Sequence, residues 1–184
     1  MRIQPSVGFG LAVLVLAAAC SSPSPVLPDT RALGDVTAAP QECGLISANA
    51  IKIATGLDHY AAYGTKRDMG RRFASCSVRE EGVSDSSLGL IIEVFEPSPI
   101  SQEGLENTKR SARGTDLPAE LRPGFVARRK NAKDKTVAFV YGWTSDYKRL
   151  LMINIIENAP GRDSVADATE FFRQLKPLLL DRAT

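Results

Sequence analysis

The residues of this chain that could do chemistry are few. It holds three cysteines, Cys20, Cys43 and Cys76, and one histidine, His59, at a formal net charge of +2. His59 lies in "GLDHYAAYG", a loop-like context, and a lone imidazole acts as a general base or proton switch only when another group is aimed at it. No Asp-His-Ser or Cys-His set can be assembled without it, and Asp58 beside it points elsewhere in most backbone conformations. The 21 acidic residues allow a paired-carboxylate hydrolase in principle, but none stands in a recognisable context. No glycine loop of the G-x-G-x-x-G or G-x-x-x-x-G-K-S/T type occurs, so nucleotide chemistry has no motif to rest on. The sequence predicts no catalytic residue and no cofactor. It predicts no metal site either, because neither a His nor a second Cys sits at ligand spacing from Cys43 or Cys76.

Cys20 takes its meaning from what precedes it. Met1 to Ser6 carry one basic side chain, Arg2, and Val7 to Ala19 then run for about 13 residues without a charge, short of the roughly 20 that span a bilayer. That is the length of the apolar part of a secretory signal, and Ala17-Ala18-Ala19 supplies the small residues needed for cleavage. Residues 1–19 are therefore expected to be removed. Ala17-Ala18-Ala19-Cys20, followed by Ser21 and Ser22, resembles the lipobox of bacterial lipoproteins, whose Cys receives a diacylglyceryl thioether. The resemblance implies lipidation of Cys20 and a chain held on the outer face of the cell membrane, since two or more acyl chains anchor stably. Cleavage after the same alanines by an ordinary signal peptidase would give a free secreted protein, and this alternative stays open.

If Cys20 carries lipid, Cys43 and Cys76 remain, and outside the cytoplasm such a pair is expected to oxidise. The bridge would close a loop of about 34 residues, worth roughly 3 to 4 kcal/mol in the chain-entropy model. Two buried free thiols are the competing reading.

The elements that must position any site follow from composition and periodicity. Residues 20–41 hold the lipidated Cys and then a stretch with Pro23, Pro25, Pro28 and Pro40 that shows no apolar periodicity. It reads as an extended tether able to reach up to about 60 Å. Residues 42–184 make one domain of about 140 residues. A helix capped by Ser47 carries Ala50, Ile51 and Ala54 to a stop at Gly56. Leu57 to Arg72 reads mainly as loop. Strands are expected at Cys76–Glu80, Leu88–Glu96, Phe125–Lys130, Thr136–Trp143 and Arg149–Glu157. Apolar groups on both faces of the second strand imply that it is covered on both sides. A weakly amphipathic helix from Ser101 to Arg113 and a final helix from Ser164, capped by Asp163 and ended or kinked by Pro177, complete the order. The expectation is an α+β fold, a mostly antiparallel sheet of about five strands with helices on both faces.

"CGLIS" opening a helix that ends "ATGL", with "SCSV" opening a strand, resembles the small actinobacterial envelope lipoproteins built on a domain of unknown function. In those a Cys-x-Leu-Leu/Ile helix start is bridged to a Cys-x-Trp/Val strand. The resemblance implies an α/β sandwich like that of the photosystem-associated extrinsic proteins, which are binding and assembly factors, and it brings no catalytic residues.

Two basic clusters stand out, Lys66, Arg67, Arg71 and Arg72, and the run of Arg122, Arg128, Arg129, Lys130, Lys133 and Lys135. Arg128, Arg129, Lys130 and Lys133 form a candidate contact with anionic headgroups or acidic polymers, or else protect a hairpin edge. Nucleic acid is not an expected partner of an exported chain. Trp143 alternates with Tyr141 and Phe139 as core residues do, yet at its strand end it forms with Tyr147 a candidate ligand platform. The functional expectation is a membrane-anchored binding or accessory module for an envelope protein, lipid or wall component. The alternatives are a hydrolase of envelope polymers and a purely structural subunit of a membrane complex. Close carboxylates in a cleft would favour the hydrolase, a wide exposed apolar patch the accessory, and an enclosed apolar cavity a lipid carrier.

Overall fold

Period-two apolar patterning builds the sheet, and the helices are the segments whose apolar residues recur every three or four positions. The computed structural model describes residues 27–65, 74–82, 88–130 and 136–181. In chain order the elements are β1 (Gln41–Glu42), β2 (Ile46–Ser47), α1 (Ala48–Thr55), β3 (Tyr60–Thr65), β4 (Ser75–Glu80) and β5 (Leu88–Phe95). They continue with α2 (Gln102–Ser111), β6 (Thr115–Asp116), β7 (Gly124–Lys130), β8 (Thr136–Trp143), β9 (Leu150–Ile155) and α3 (Ser164–Leu179).

The fold is α+β, and its main sheet has seven strands in the order β3-β4-β5-β9-β8-β7-β6. Every neighbouring pair is antiparallel. Two meanders, β3 to β5 and β6 to β9, are joined in sequence through α2 and in space by the pairing of β5 with β9. The count of about five strands is corrected to seven. The five expected strands are β4, β5, β7, β8 and β9, and β3 and β6 are additional. β3, "YAAYGT", forms where a loop was expected: its Ala and Gly residues favour a strand weakly, but β4 pairs with it along all six residues.

On one face of the sheet Leu90, Ile92, Val140, Leu151 and Ile153 pack against Ala50, Ile51 and Ala54 of α1 and Ala168, Phe171, Phe172 and Leu175 of α3. Each large side chain buried here contributes about 1.5 to 3 kcal/mol. α3 crosses β7, β8 and β9 closely, and Gly142 is what lets it, since a Cβ there would collide with the Phe172 ring. α1 stops at Gly56, whose φ of 74° is left-handed and whose N–H returns to the Lys52 carbonyl at 2.8 Å. The Asp163 carboxylate caps α3 by accepting from the N–H groups of Val165 (2.9 Å) and Ala166 (3.3 Å). Pro177 does not end α3, which runs on to Leu179. The residue lies in the last turn, where a single lost N–H is tolerated.

The opposite face carries a second core of Phe125, Ala127, Phe139, Trp143 and Leu150 beneath Leu105 of α2. Leu105 is the one buried residue of α2, in keeping with its thin apolar stripe. Helices thus lie on both faces, but the coverage is unequal.

Cys43 and Cys76 form the disulfide, with Cα atoms 5.7 Å apart. It ties the β1–β2 strap to β4 beside the edge strand β3. Part of the stretch read as tether also belongs to the folded unit: Leu33 and Val36 are buried in the larger core. The Val36 N–H donates to Gln174 Oε1 at 2.9 Å, and the Val36 carbonyl accepts from Ser47 at 2.7 Å. Arg162 pins the same stretch, donating to both carboxylate oxygens of Asp167 (2.7 and 2.6 Å) and to the Arg31 carbonyl (2.9 Å). It also pairs with Asp29 at 3.3 Å.

Candidate functional site

α2 lies against β7, and the core beneath it takes in the β7–β8 end of the second face and Leu150 at the start of β9. The registers of β4, β5, β9 and β8 place two cross-strand rows side by side on what is left open. One runs Ser75, Glu93, Met152, Tyr141. The other runs Tyr63, Ser77, Ile91, Asn154, ending at Phe139 under the edge of α2. Ser75, Ser77, Ile91, Glu93, Met152, Asn154 and Tyr141 are each partly exposed, and Tyr63 is 61% exposed. Covering of β5 on both sides was the expectation; most of its second side is only partly covered, because the second core reaches β9 at Leu150 and Met152 and β5 at Phe95 alone.

Glu93 is the distinctive group of this face. Strands lie about 4.8 Å apart, so roughly 10 Å separates the backbones of Glu93 and Tyr141, with Met152 between them. Among the described residues no hydrogen bond or ion pair reaches the Glu93 carboxylate, and burial among apolar neighbours raises its pKa. Burial also raises the pKa of the Tyr141 hydroxyl, with nearby Arg129 opposing and Glu93 reinforcing the shift. The face therefore presents a carboxylate, an amide and a phenol, with apolar Ile91 and Met152 between them. Polar groups without a protein partner keep their water unless a ligand replaces it with hydrogen bonds of its own, so the face favours a ligand that carries donors and acceptors. Period-two reading puts Glu93 with Ile91 and Phe95, and a lone carboxylate between apolar residues is the signal that could have marked it.

The anticipated site residues lie elsewhere. Cys20, Lys66, Arg67, Arg71, Arg72, Lys133 and Lys135 fall outside the described residues. Arg128, Arg129 and Lys130 do not form one patch, because successive strand residues alternate faces. Arg128 pairs with the Asp163 carboxylate at the start of α3. Arg129 turns to the other face and sits over the Phe139 ring, 5.4 Å from its centroid. Lys130 is exposed. Trp143 and Tyr147 do come together, stacked with ring centroids 6.1 Å apart. Trp143 is only 5% exposed and belongs to the second core. His59 is exposed. A separate cavity of about 360 Å³ lies at the end of α1, lined by Thr55, Thr136, Ile156, Glu157 and Asn158. Its lining holds a single acid and no imidazole.

Comparison with protein families, curated proteins and solved structures finds no match to this chain. Among the described residues no group of His, Cys, Asp or Glu is arranged to hold a metal ion, and no helix is long and apolar enough to cross a membrane.

Proposed function

We propose that this chain is an envelope lipoprotein, anchored through Cys20, whose folded domain is a binding module for a glycan-bearing wall component. The observation that carries the proposal is the open half of the second sheet face, where Glu93, Asn154 and Tyr141 stand among Ile91 and Met152. Sugars present hydroxyl groups around apolar C–H faces, and alternating polar and apolar side chains on a flat sheet complement that pattern. The sequence resemblance to envelope lipoproteins and to binding and assembly factors points to the same class of role.

A hydrolytic role is less well supported by this face. Glycoside hydrolysis divides its work between two carboxyl groups about 5 to 9.5 Å apart. Among the described strand residues two acids point to this side, Glu93 and Asp116, but four strand spacings, roughly 19 Å, separate them, and Lys109 of α2 pairs with Asp116. A lipid carrier would need an enclosed apolar cavity, whereas the rows are partly exposed and half polar.

The test is co-sedimentation of the full chain, extracted in mild detergent, with insoluble wall material from the cells that make it. Wild type should sediment with the wall, and Glu93→Gln, Asn154→Ala and Tyr141→Phe should each lower the bound fraction several-fold without lowering the unfolding midpoint. The proposal fails if wild type stays in solution, or if all three variants bind as it does.

A further inference from the structure

β3 is an edge strand of the main sheet, hydrogen-bonded to β4 alone. The Glu81 N–H donates to the His59 carbonyl, which fixes the phase of the ladder. Ala61, Tyr63 and Thr65 turn their backbone groups toward β4, and Tyr60, Ala62 and Gly64 turn theirs outward. Among the described residues no hydrogen bond reaches these outward groups.

Exposed edges are normally blunted by charge, proline, a bulge or shortness. Tyr60–Thr65 has no charged residue and no proline, and its register with β4 is unbroken over six pairs. The opposite edge, β6, is blunted: it has two residues, one of them Asp116.

We propose that β3 pairs antiparallel with β3 of a second copy of this chain, about a two-fold axis at Ala62. In that register Ala62 faces its own counterpart, Tyr60 faces Gly64, and Ala61 faces Tyr63, so each ring lies opposite a small residue. All three outward residues of each copy are used, giving about six main-chain hydrogen bonds. A shift of two residues in either direction leaves one outward residue of each copy outside this pairing. Opposed residues of an antiparallel pair project to the same side, so the dimer joins two seven-stranded sheets without turning either over. The inference does not depend on what the open face binds.

Native mass spectrometry of the full chain in mild detergent over a wide concentration range tests the pairing, together with amide exchange of the β3 segment. A dimer is expected, with exchange at Tyr60, Ala62 and Gly64 slowing as concentration rises. Ala62→Pro removes an outward N–H without touching the ladder to β4, so it should weaken dimerisation at least about tenfold and leave the unfolding midpoint near wild type. A chain that stays monomeric throughout, or a dimer that Ala62→Pro leaves intact, overturns the proposal. Outward amides that exchange slowly at every concentration also overturn it, because they then have another occupant. If Ala62→Pro does not fold, the exchange data on the unaltered chain decide alone.

Discussion

Replacing Arg162 by leucine should be among the costliest single changes in this domain. The Arg162 side chain is 4% exposed and Asp167 is 7% exposed. Arg162 supplies two hydrogen bonds to the Asp167 carboxylate and one to the Arg31 carbonyl. Removing one partner of a buried ion pair typically costs about 3 to 5 kcal/mol, because the other charge is left uncompensated. The lost bond to Arg31 adds about 1 kcal/mol. A domain of this size has about 7 to 15 kcal/mol in all, on the order of 0.05 to 0.15 per residue, so the change removes about a third or more and lowers the melting temperature by roughly 10 °C or more. Urea unfolding followed by the fluorescence of the single tryptophan, Trp143, measures the loss. Arg162→Leu combined with Asp167→Leu should recover most of it, since an apolar pair of similar volume often replaces a buried ion pair at no net cost. Cleavage after Arg31 by trypsin should also accelerate in the single variant as the segment lifts away. A loss under about 1 kcal/mol, or a double variant no more stable than the single one, would refute the reasoning.

Two further outcomes follow from features away from this ion pair. Changing both Cys43 and Cys76 to alanine should cost about 3 to 4 kcal/mol, as expected for a closed loop of this length, in urea titrations of reduced-cysteine-free protein against wild type; a cost below about 1 kcal/mol would show that the strap holds without the bridge. Because the folded-state pKa of Glu93 is raised above its ordinary value of 4.5, the native state binds the extra proton and stability falls as pH rises through that range. Glu93→Gln should therefore raise the urea midpoint near pH 7 and leave it unchanged near pH 4; an equal gain at both would assign the effect to packing.

The strands that pack on both sides were legible because period-two patterning is local. Val137, Phe139, Tyr141 and Trp143 on one face of β8, with Ala138, Val140 and Gly142 on the other, are where the alternation puts them. β3 was not legible, since nothing in Tyr60-Ala61-Ala62-Tyr63 outweighs its weak strand preference except a partner found through the fold. The buried part of the tether was hidden for a similar reason. Leu33 and Val36 are isolated apolar residues in a Pro-rich stretch, and the Val36 backbone is held by Ser47 and by Gln174, which is far away in sequence. The open face escaped because its extent is set by how little α2 covers, a property of helix placement that no strand pattern encodes. The disulfide, by contrast, followed from counting cysteines.

The pinning of Asp29 and Arg31 also sets a stand-off height. The Asp29 N–H donates to the Gly161 carbonyl at 2.9 Å, so the folded body begins close to Leu27. If Cys20 is lipidated as proposed, Cys20 to Val26 make up the whole leash, and even fully stretched they bridge at most about 25 Å. A leash running freely to Gln41 would have allowed more than twice that. A domain so anchored would work in the layer next to the headgroups, and whatever it captured would have to come to that layer.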